Sequence, residues 1–132
     1  MLLIILSLFA FLACGKDSTP TQAEKPPQRS IVTPEALSQS LSSPRPWKLI
    51  EVSKPEAFAE GHIPGALNCF RPDFSNQEDY PYGGMRAETD QMETLMSSLG
   101  VHSQDSIIVY DKKGNADALR LWWLMRLYGH TK

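Results

Sequence analysis

The chain has 132 residues, room for one domain, and 42% of its residues are hydrophobic, as in ordinary globular proteins. Its net charge of −2, without a basic cluster, argues against nucleic acid as a partner. Two cysteines, Cys14 and Cys69, and three scattered histidines support neither a disulfide framework nor a structural zinc site.

The first fourteen residues have the pattern of an export signal. The apolar run over residues 1–13 is shorter than the about 20 residues that a membrane-spanning helix needs, and it suits the apolar part of a signal peptide. The run ends in Phe11-Leu12-Ala13-Cys14, which resembles a bacterial lipobox, where the cysteine is lipidated. We therefore predict a signal peptide over residues 1–14, lipidation at Cys14, and a lipid-anchored protein of a bacterial cell envelope that faces the periplasm or the exterior. An ordinary cleaved signal peptide is the alternative.

Residues 15–30 have the composition of a disordered linker. Pro, Ser, Thr, Lys and Gln predominate, and no large apolar side chain is present to be buried. A lipid-anchored domain held away from a membrane needs such a spacer, although a terminus without that role has the same composition. The folded domain is therefore predicted over residues 31–132.

Signals for helices and strands alternate from Ile31 onward. Thr33 before Pro34 is typical of an N-cap followed by the first helical position, and Thr89 is predicted to cap a later helix. Apolar spacing places the other elements. In chain order we predict a helix over 35–41, a strand over 47–52, a helix opened by Ser53, Pro55 and Glu56 that carries Phe58 toward the core, a strand over 66–70, a polar surface loop over 71–84, a helix from Thr89 to Gly100, a strand over 106–110, and a helix over 116–128 capped by Gly129.

This order of elements predicts an α/β fold of three α/β/α layers, with a mainly parallel sheet and helices on both faces. The strand over 106–110 is short, apolar and β-branched, which predicts burial on both faces. The last helix is apolar on nearly every side, and such a helix is normally covered by more protein than this chain supplies. We therefore expect an incomplete domain, a fragment without its last strand and helix.

Several motifs resemble those of rhodanese-type sulfurtransferase domains. The first is Gly61-His62-Ile63-Pro64-Gly65-Ala66, and the second is the strand end Ile108-Val109-Tyr110-Asp111. Further matches are Leu99-Gly100-Val101 with Asp105, and Arg120-Leu121-Trp122-Trp123 with Tyr128-Gly129-His130. The paired tryptophans and the final Gly-His are most similar to the N-terminal domain of two-domain thiosulfate and 3-mercaptopyruvate sulfurtransferases. The resemblance implies a rhodanese-like fold over residues 31–132.

Asp111 decides what this resemblance implies for function. In catalytic relatives the strand delivers a cysteine that carries sulfur as a persulfide, and a carboxylate cannot form one. The first domain of the two-domain enzymes typically has Asp here and packs against a second rhodanese domain that carries the cysteine. The resemblance implies the noncatalytic N-terminal domain of an exported sulfurtransferase, with thiosulfate or a mercapto acid as substrate of the parent and the cysteine beyond Lys132. No metal or organic cofactor is implied.

The loop after this strand is the corresponding pseudo-active site, Asp111-Lys112-Lys113-Gly114-Asn115. In active relatives its backbone N–H groups point inward before a helix begins, and they hold the sulfur anion. Asp111 is expected to cap that helix. The two lysines either attract anions or are simply solvated. Arg120, on the helix, is expected to pair with Glu51, the acidic residue that the family has after its buried strand.

The glycine-rich motif is predicted to be a turn rather than a catalytic element. Gly61 and Gly65 would allow backbone conformations that a side chain obstructs, and Pro64 would stiffen the turn. His62 is expected to orient the loop through a ring hydrogen bond rather than to act as a general base. Cys69 has no basic loop or helix start beside it, so we expect a buried and inert thiol.

Two other functions compete with this one. A rhodanese domain without a nucleophile can serve as a binding or sensory module with no enzymatic partner. A carboxylate at the end of a strand can also accept a phosphoryl group. The haloacid-dehalogenase pattern, however, has a second Asp two residues later, where this chain has Lys113.

Overall fold

Helices and strands alternate along the chain, as predicted. The structure, a computed structural model, describes residues 31–42, 44–76, 78 and 81–132, so the predicted signal peptide, Cys14 and the linker lie outside the described residues. None of the helices in the described part is both long and apolar enough to cross a membrane. The elements are α1 Pro34–Ser40, β1 Trp47–Val52, α2 Pro55–Glu60, β2 Ala66–Cys69, a 3-10 helix Arg71–Phe74, β3 Ser75–Asn76, β4 Met85–Arg86, α3 Thr89–Ser98, β5 Ser106–Asp111 and α4 Ala116–Leu127.

A parallel sheet in the order β2-β1-β5 forms the centre of the described residues. In its register Val52 lies opposite both Cys69 and Asp111, so the carboxyl ends of all three strands meet at one edge. In α/β proteins this is the edge at which ligands bind. A second, two-stranded antiparallel sheet pairs β3 with β4. The predicted α/β fold is confirmed.

The core lies on one face of the parallel sheet, between β1 and the helices α3 and α4. Alternation along β1 directs Ile50 and Val52 to this face and Leu49 and Glu51 to the other. On the other face the Tyr110 hydroxyl meets the turn that follows α2. The buried members of the core cluster are Ile50, Val52, Cys69, Phe74, Ala87, Met92, Val101, Leu121, Leu124 and Met125.

The structure corrects the predicted surface loop over 71–84. Arg71–Phe74 is a 3-10 helix, and the Phe74 side chain is fully buried in the core cluster. Ser75 and Asn76 are buried as well and form a strand. A single phenylalanine in a polar stretch has no periodicity, so the sequence pattern could not show that this segment turns inward.

Three smaller predictions are also wrong. The side chains of β5 are only partly buried, because β1 and not β5 is the middle strand of the described sheet. Phe58 does not reach the core: α2 has no buried residue, and the Phe58 ring stacks on His62 instead. Thr89 is the first residue of α3 rather than its cap, since Glu88 occupies the N-cap position. A further strand and helix beyond Lys132 stay a prediction.

Candidate functional site

The pseudo-active loop follows β5 at the carboxyl edge of the sheet. Asp111 is the last residue of β5, and α4 begins at Ala116. Between them Gly114 and Asn115 both have left-handed backbones, with φ values of 82° and 67°. Glycine and asparagine are the residues that adopt this conformation most readily, which explains why the chain can turn so sharply here.

The loop and the first turn of α4 together direct four backbone N–H groups at the Asp111 carboxylate. Oδ1 accepts from the N–H groups of Lys113 at 2.7 Å and Asn115 at 2.8 Å. Oδ2 accepts from those of Asp117 at 3.0 Å and Ala118 at 3.1 Å. We call these four donors the N–H cradle. The predicted helix cap at Asp111 is confirmed, and the cradle is filled by an anion of the chain itself.

The ionised form of Asp111 is stabilised by this arrangement. Partial burial raises the pKa of the Asp111 carboxyl. The four backbone hydrogen bonds lower this pKa by more than burial raises it, so the net pKa lies below its ordinary 3.8. Each carboxylate oxygen already accepts two hydrogen bonds, which leaves it a poor attacking group. This geometry adds to the sequence argument against phosphoryl transfer at Asp111.

Glu51, fully buried in β1, is the second charged centre beside the loop. Its carboxylate accepts hydrogen bonds from Ser53 Oγ at 2.7 Å and from the Tyr110 hydroxyl at 2.5 Å, and the Lys112 ammonium lies 3.3 Å away. Burial raises the pKa of Glu51, while the bonds from Tyr110, Ser53 and Lys112 lower it to below 4.5 in net. Burial of the Tyr110 side chain, together with its hydrogen bond to the Glu51 carboxylate, raises the pKa of Tyr110 to about 12.

Lys112 joins the pseudo-active loop to the glycine-rich motif. Besides Glu51, its ammonium donates to the carbonyl oxygens of Ala57 and Gly61, each at 2.5 Å, near the carboxyl end of α2. Tyr110 makes a parallel link, because its hydroxyl accepts from the Ile63 N–H at 3.0 Å. The two predictions for Lys112, a solvated side chain or a cation that attracts anions, are therefore both wrong, because its ammonium is bound by groups of the chain itself. The Lys113 residue is exposed.

The predicted pair between Arg120 and Glu51 does not form. Arg120 Nη2 donates to the Gly84 carbonyl at 2.6 Å, and among the described residues its buried Nε finds no hydrogen-bond partner. The physical reason is the sheet: α4 packs on the face opposite to Glu51. The residues that do contact the Glu51 carboxylate are Ser53, Tyr110 and Lys112. The register could have indicated Tyr110, since Glu51 and Tyr110 are direct neighbours across the two strands.

The glycine-rich motif contains a tight turn closed by a hydrogen bond from the Ala66 N–H to the Ile63 carbonyl at 2.9 Å. Pro64 and Gly65 are its central residues, and Gly65 has a left-handed φ of 81°. A Cβ atom on Gly65 would lie 2.8 Å from Arg45 Nη1, which itself donates to the Pro64 carbonyl. The prediction that this glycine is required by the backbone is confirmed.

The prediction for Gly61, another residue of the motif, is wrong, whereas the prediction for His62 is confirmed. Gly61 has a φ of 164°, an extended conformation open to any residue, and a Cβ atom on Gly61 would have nothing within 4 Å, so the prediction for Gly61 is wrong. His62 makes the expected ring hydrogen bond, with Nδ1 2.9 Å from the Phe58 carbonyl oxygen. Its ring also stacks on the Phe58 ring at 3.8 Å between centroids.

Cys69 is a buried side chain of the core, as predicted. It is 1% exposed, and burial, with a smaller effect of the Asp73 carboxylate, raises the pKa of its thiol to about 12. The thiolate is the nucleophilic form of cysteine, so this residue is inert near neutral pH.

In the described part of the chain, no three His, Cys, Asp or Glu side chains come together as a metal site.

The rhodanese-like domain model matches residues 33–132 of the chain. The chain belongs to the rhodanese-like family. The 3-mercaptopyruvate sulfurtransferase of Rattus norvegicus is 31% identical over 116 residues, which cover 77% of this chain and 39% of the relative. The thiosulfate sulfurtransferase of Azotobacter vinelandii is 30% identical over 102 residues, which cover 77% and 37%. The thiosulfate/3-mercaptopyruvate sulfurtransferase 1 of Arabidopsis thaliana is 32% identical over 77 residues, which cover 58% and 20%.

The rhodanese domain is thus related to sulfurtransferases of both substrate types, and the resemblance drawn from the motifs is confirmed. The chain spans about two fifths of the length of the rat and Azotobacter vinelandii relatives.

Proposed function

We propose that this rhodanese domain is the noncatalytic N-terminal domain of a sulfurtransferase. The observation that carries the proposal is the Asp111 carboxylate inside the N–H cradle. This carboxylate supplies no sulfur atom, and it also takes up the donors that would otherwise stabilise a sulfur anion. Cys69, the only thiol among the described residues, is buried and protonated.

The parent protein would transfer sulfane sulfur through a cysteine that lies in a second rhodanese domain. In such a reaction the thiolate attacks the outer sulfur of thiosulfate, the S–S bond of thiosulfate breaks, and sulfite leaves. With 3-mercaptopyruvate the thiolate attacks the thiol sulfur, the C–S bond breaks, and pyruvate leaves as its enolate, which takes up a proton. The resulting persulfide passes its outer sulfur to cyanide or another thiol. The names of the relatives and the share of their length that this chain covers support this proposal. The domain described here would form a wall of the active site.

The experiment that tests the domain's role is a sulfur-transfer assay on the segment Ser30–Lys132, which retains Cys69 as its one cysteine. We expect no thiocyanate above background from thiosulfate and cyanide, and no added sulfur on the polypeptide by mass spectrometry. A Cys69→Ser variant is the matched control. Thiocyanate formation that disappears in this variant would overturn the proposal.

The parent activity is tested separately, by reading the gene beyond the codon for Lys132. A second rhodanese domain with a cysteine at the position of Asp111 supports the sulfurtransferase. A reading frame that ends after one further strand and helix favours the alternative, a module that binds or senses without an enzymatic partner.

We further propose that the protein is exported and lipid-anchored at Cys14. The support is the apolar run that ends in the lipobox-like segment, followed by the spacer composition of residues 15–30. In bacteria fed labelled palmitate, the wild-type protein should take up label and fractionate with membranes, and Cys14→Ser should do neither. Label retained in Cys14→Ser, or absent from both proteins, contradicts the anchor.

A further inference from the structure

A groove of about 350 Å³ lies between α3 and the end of α4, away from the pseudo-active loop. Its lining is unusual in its sulfur and imidazole content, which is supplied by Met92, Met96, Met125, His102 and His130. We propose that this Met–His groove binds a soft monovalent metal ion, Cu(I), through methionine thioethers and a histidine imidazole. The site is independent of the sulfurtransferase function proposed above.

The helices bring three methionines to one groove. Met92 and Met96 are four residues apart on α3, so they share a face of the helix. Met125 lies on α4 and belongs, with Met92, to the same buried cluster, against which Met96 packs. Met92 and Met125 are each about 95% buried, while Met96 is half-buried at the wall of the groove. Thioethers are uncharged, so they can lie in an apolar wall without a desolvation cost.

The hydrogen bonds of His130 leave one of its ring nitrogens able to bind a metal. Its Nε2 lies 2.8 Å from the Asp105 carbonyl oxygen, an acceptor, so Nε2 carries the proton and Nδ1 has the free lone pair. Metal-binding histidines in proteins characteristically donate their other ring N–H to a carbonyl or carboxylate. The backbone N–H of His130 also donates to the Met125 carbonyl at 2.9 Å, which ties the His130 backbone to the end of α4.

Asp105 also holds the backbone of His102, the second histidine in the lining of the groove. Its carboxylate accepts from the His102 backbone N–H at 2.8 Å, and its backbone carbonyl accepts from the His130 ring, so one residue contacts both histidines. The donor set determines the metal class, since thioether sulfur selects Cu(I) over Mg²⁺, Ca²⁺ or Mn²⁺, which require several oxygen ligands. Glu93, also in the lining, offers a single carboxylate. The competing explanation is that the methionines only fill space in the core.

The test uses the full chain with Cys14→Ser, so that no thiol at residue 14 competes, and with methionine labelled by ¹³C at its methyl group. On addition of Ag(I), a redox-inert stand-in for Cu(I), we expect the methyl resonances of Met92, Met96 and Met125 to shift up to one equivalent. The resonance of Met85, which is not part of the groove lining, should stay in place. A shift confined to Met85, or no shift at all, would overturn the proposal.

A Cu(I) titration against a chromogenic chelator provides the second measurement. We expect Met96→Leu combined with His130→Gln to weaken Cu(I) binding at least tenfold, and the matched control Met85→Leu to leave it unchanged. A change from Met to Leu keeps the volume of the side chain, and a thermal melt checks that each variant is folded. Cys69→Ala should also bind normally. If Cys69→Ala abolishes Cu(I) binding and the double variant retains it, the Cys69 thiol binds the metal and the proposal for the groove is wrong.

Discussion

At the scale of single residues, the chemistry of the pseudo-active loop depends on the side chain that its N–H groups surround, which here is the Asp111 carboxylate. The N–H cradle is complete, with four donors within 3.1 Å of the carboxylate oxygens. Such donors stabilise whichever anion the side chain at this position carries. The chemical identity of the side chain, rather than the backbone around it, therefore determines whether this loop can carry sulfur.

We therefore expect Asp111→Cys to create a reactive thiolate. With the carboxylate gone, the cradle should lower the pKa of the new thiol below the ordinary value of about 8.5. Alkylation by iodoacetamide as a function of pH, followed by mass spectrometry on the segment Ser30–Lys132, gives that pKa directly. Cys69 serves as an internal control, because its thiol has a pKa of about 12 and should stay unmodified. A thiol at residue 111 that titrates at or above about 8.5 contradicts the prediction.

Glu51 is the residue whose loss should cost the most stability in this site. Glu51→Gln removes the buried charge that Lys112 and Tyr110 are arranged around. Removing one partner of a buried ion pair costs about 3–5 kcal/mol. Since the Lys112 side chain is 39% exposed, solvent compensates part of this loss, and we expect about 2–3 kcal/mol in urea unfolding. The exposed Glu56→Gln is the matched control, with a change within about 0.5 kcal/mol. Equal effects of the two variants would show that the buried charge has no stabilising role.

The same carboxylates determine how stability should depend on pH. The pKa values of Glu51 and Asp111 in the folded protein lie below their ordinary 4.5 and 3.8. Their contribution is therefore fully present above the ordinary values and is lost as the pH falls through the lowered ones. The free energy of unfolding should be level near neutral pH and fall below about pH 5. In the double variant Glu51→Gln, Asp111→Asn this fall should be shallower; an unchanged slope assigns acid unfolding to other groups.

At the scale of elements, the glycine-rich turn offers a comparison between two glycines of one motif. Gly65 has a left-handed backbone, and a Cβ there would meet the Arg45 guanidinium, whereas Gly61 is extended and faces open space. A left-handed conformation costs a residue with a side chain about 1–2 kcal/mol.

We therefore expect Gly65→Ala to lower the free energy of unfolding by about 1–2 kcal/mol and to shift the thermal midpoint down. Gly61→Ala should have no cost, or stabilise slightly, because alanine restricts the unfolded chain. Chemical denaturation of both variants side by side is the measurement. If Gly61→Ala is as destabilising as Gly65→Ala, the motif is constrained by contacts rather than by backbone conformation.

The elements that the sequence could predict are those with a local signal. β1, α3 and α4 have apolar spacing and recognisable ends, and Asp111 at the start of a helix is a local cap. Phe74 was missed because its burial depends on the arrival of distant elements. The partner of Glu51 was assigned wrongly for a related reason. The tertiary structure determines which face of a sheet a helix covers, and Lys112 lies 61 residues after Glu51 in the chain. Local patterns do not contain this information.

At the scale of the whole molecule, the outer face of α4 exposes more apolar surface than a globular domain normally does. Its side chains Leu119, Trp122, Trp123 and Leu127 are between 39% and 57% exposed and follow one another at helical spacing. In addition, β5 is an edge strand of the described sheet, with backbone groups on one side that no other described strand pairs. Continuous apolar surface of this kind and an open sheet edge both promote association between molecules.

We therefore expect the segment Ile31–Lys132 to associate with itself, increasingly so at higher concentration. Sedimentation velocity over a range of concentrations measures this directly. Replacing Trp123 and Leu127 by Gln should shift the distribution toward the monomer, since it removes two of the four side chains of the α4 face. Tyr82→Gln, which changes another exposed aromatic residue, on a loop, is the matched control and should have no effect. A wild-type segment that is monomeric at high concentration and melts cooperatively would show that the α4 face is compatible with solvent, and it would count against the prediction of a further strand and helix.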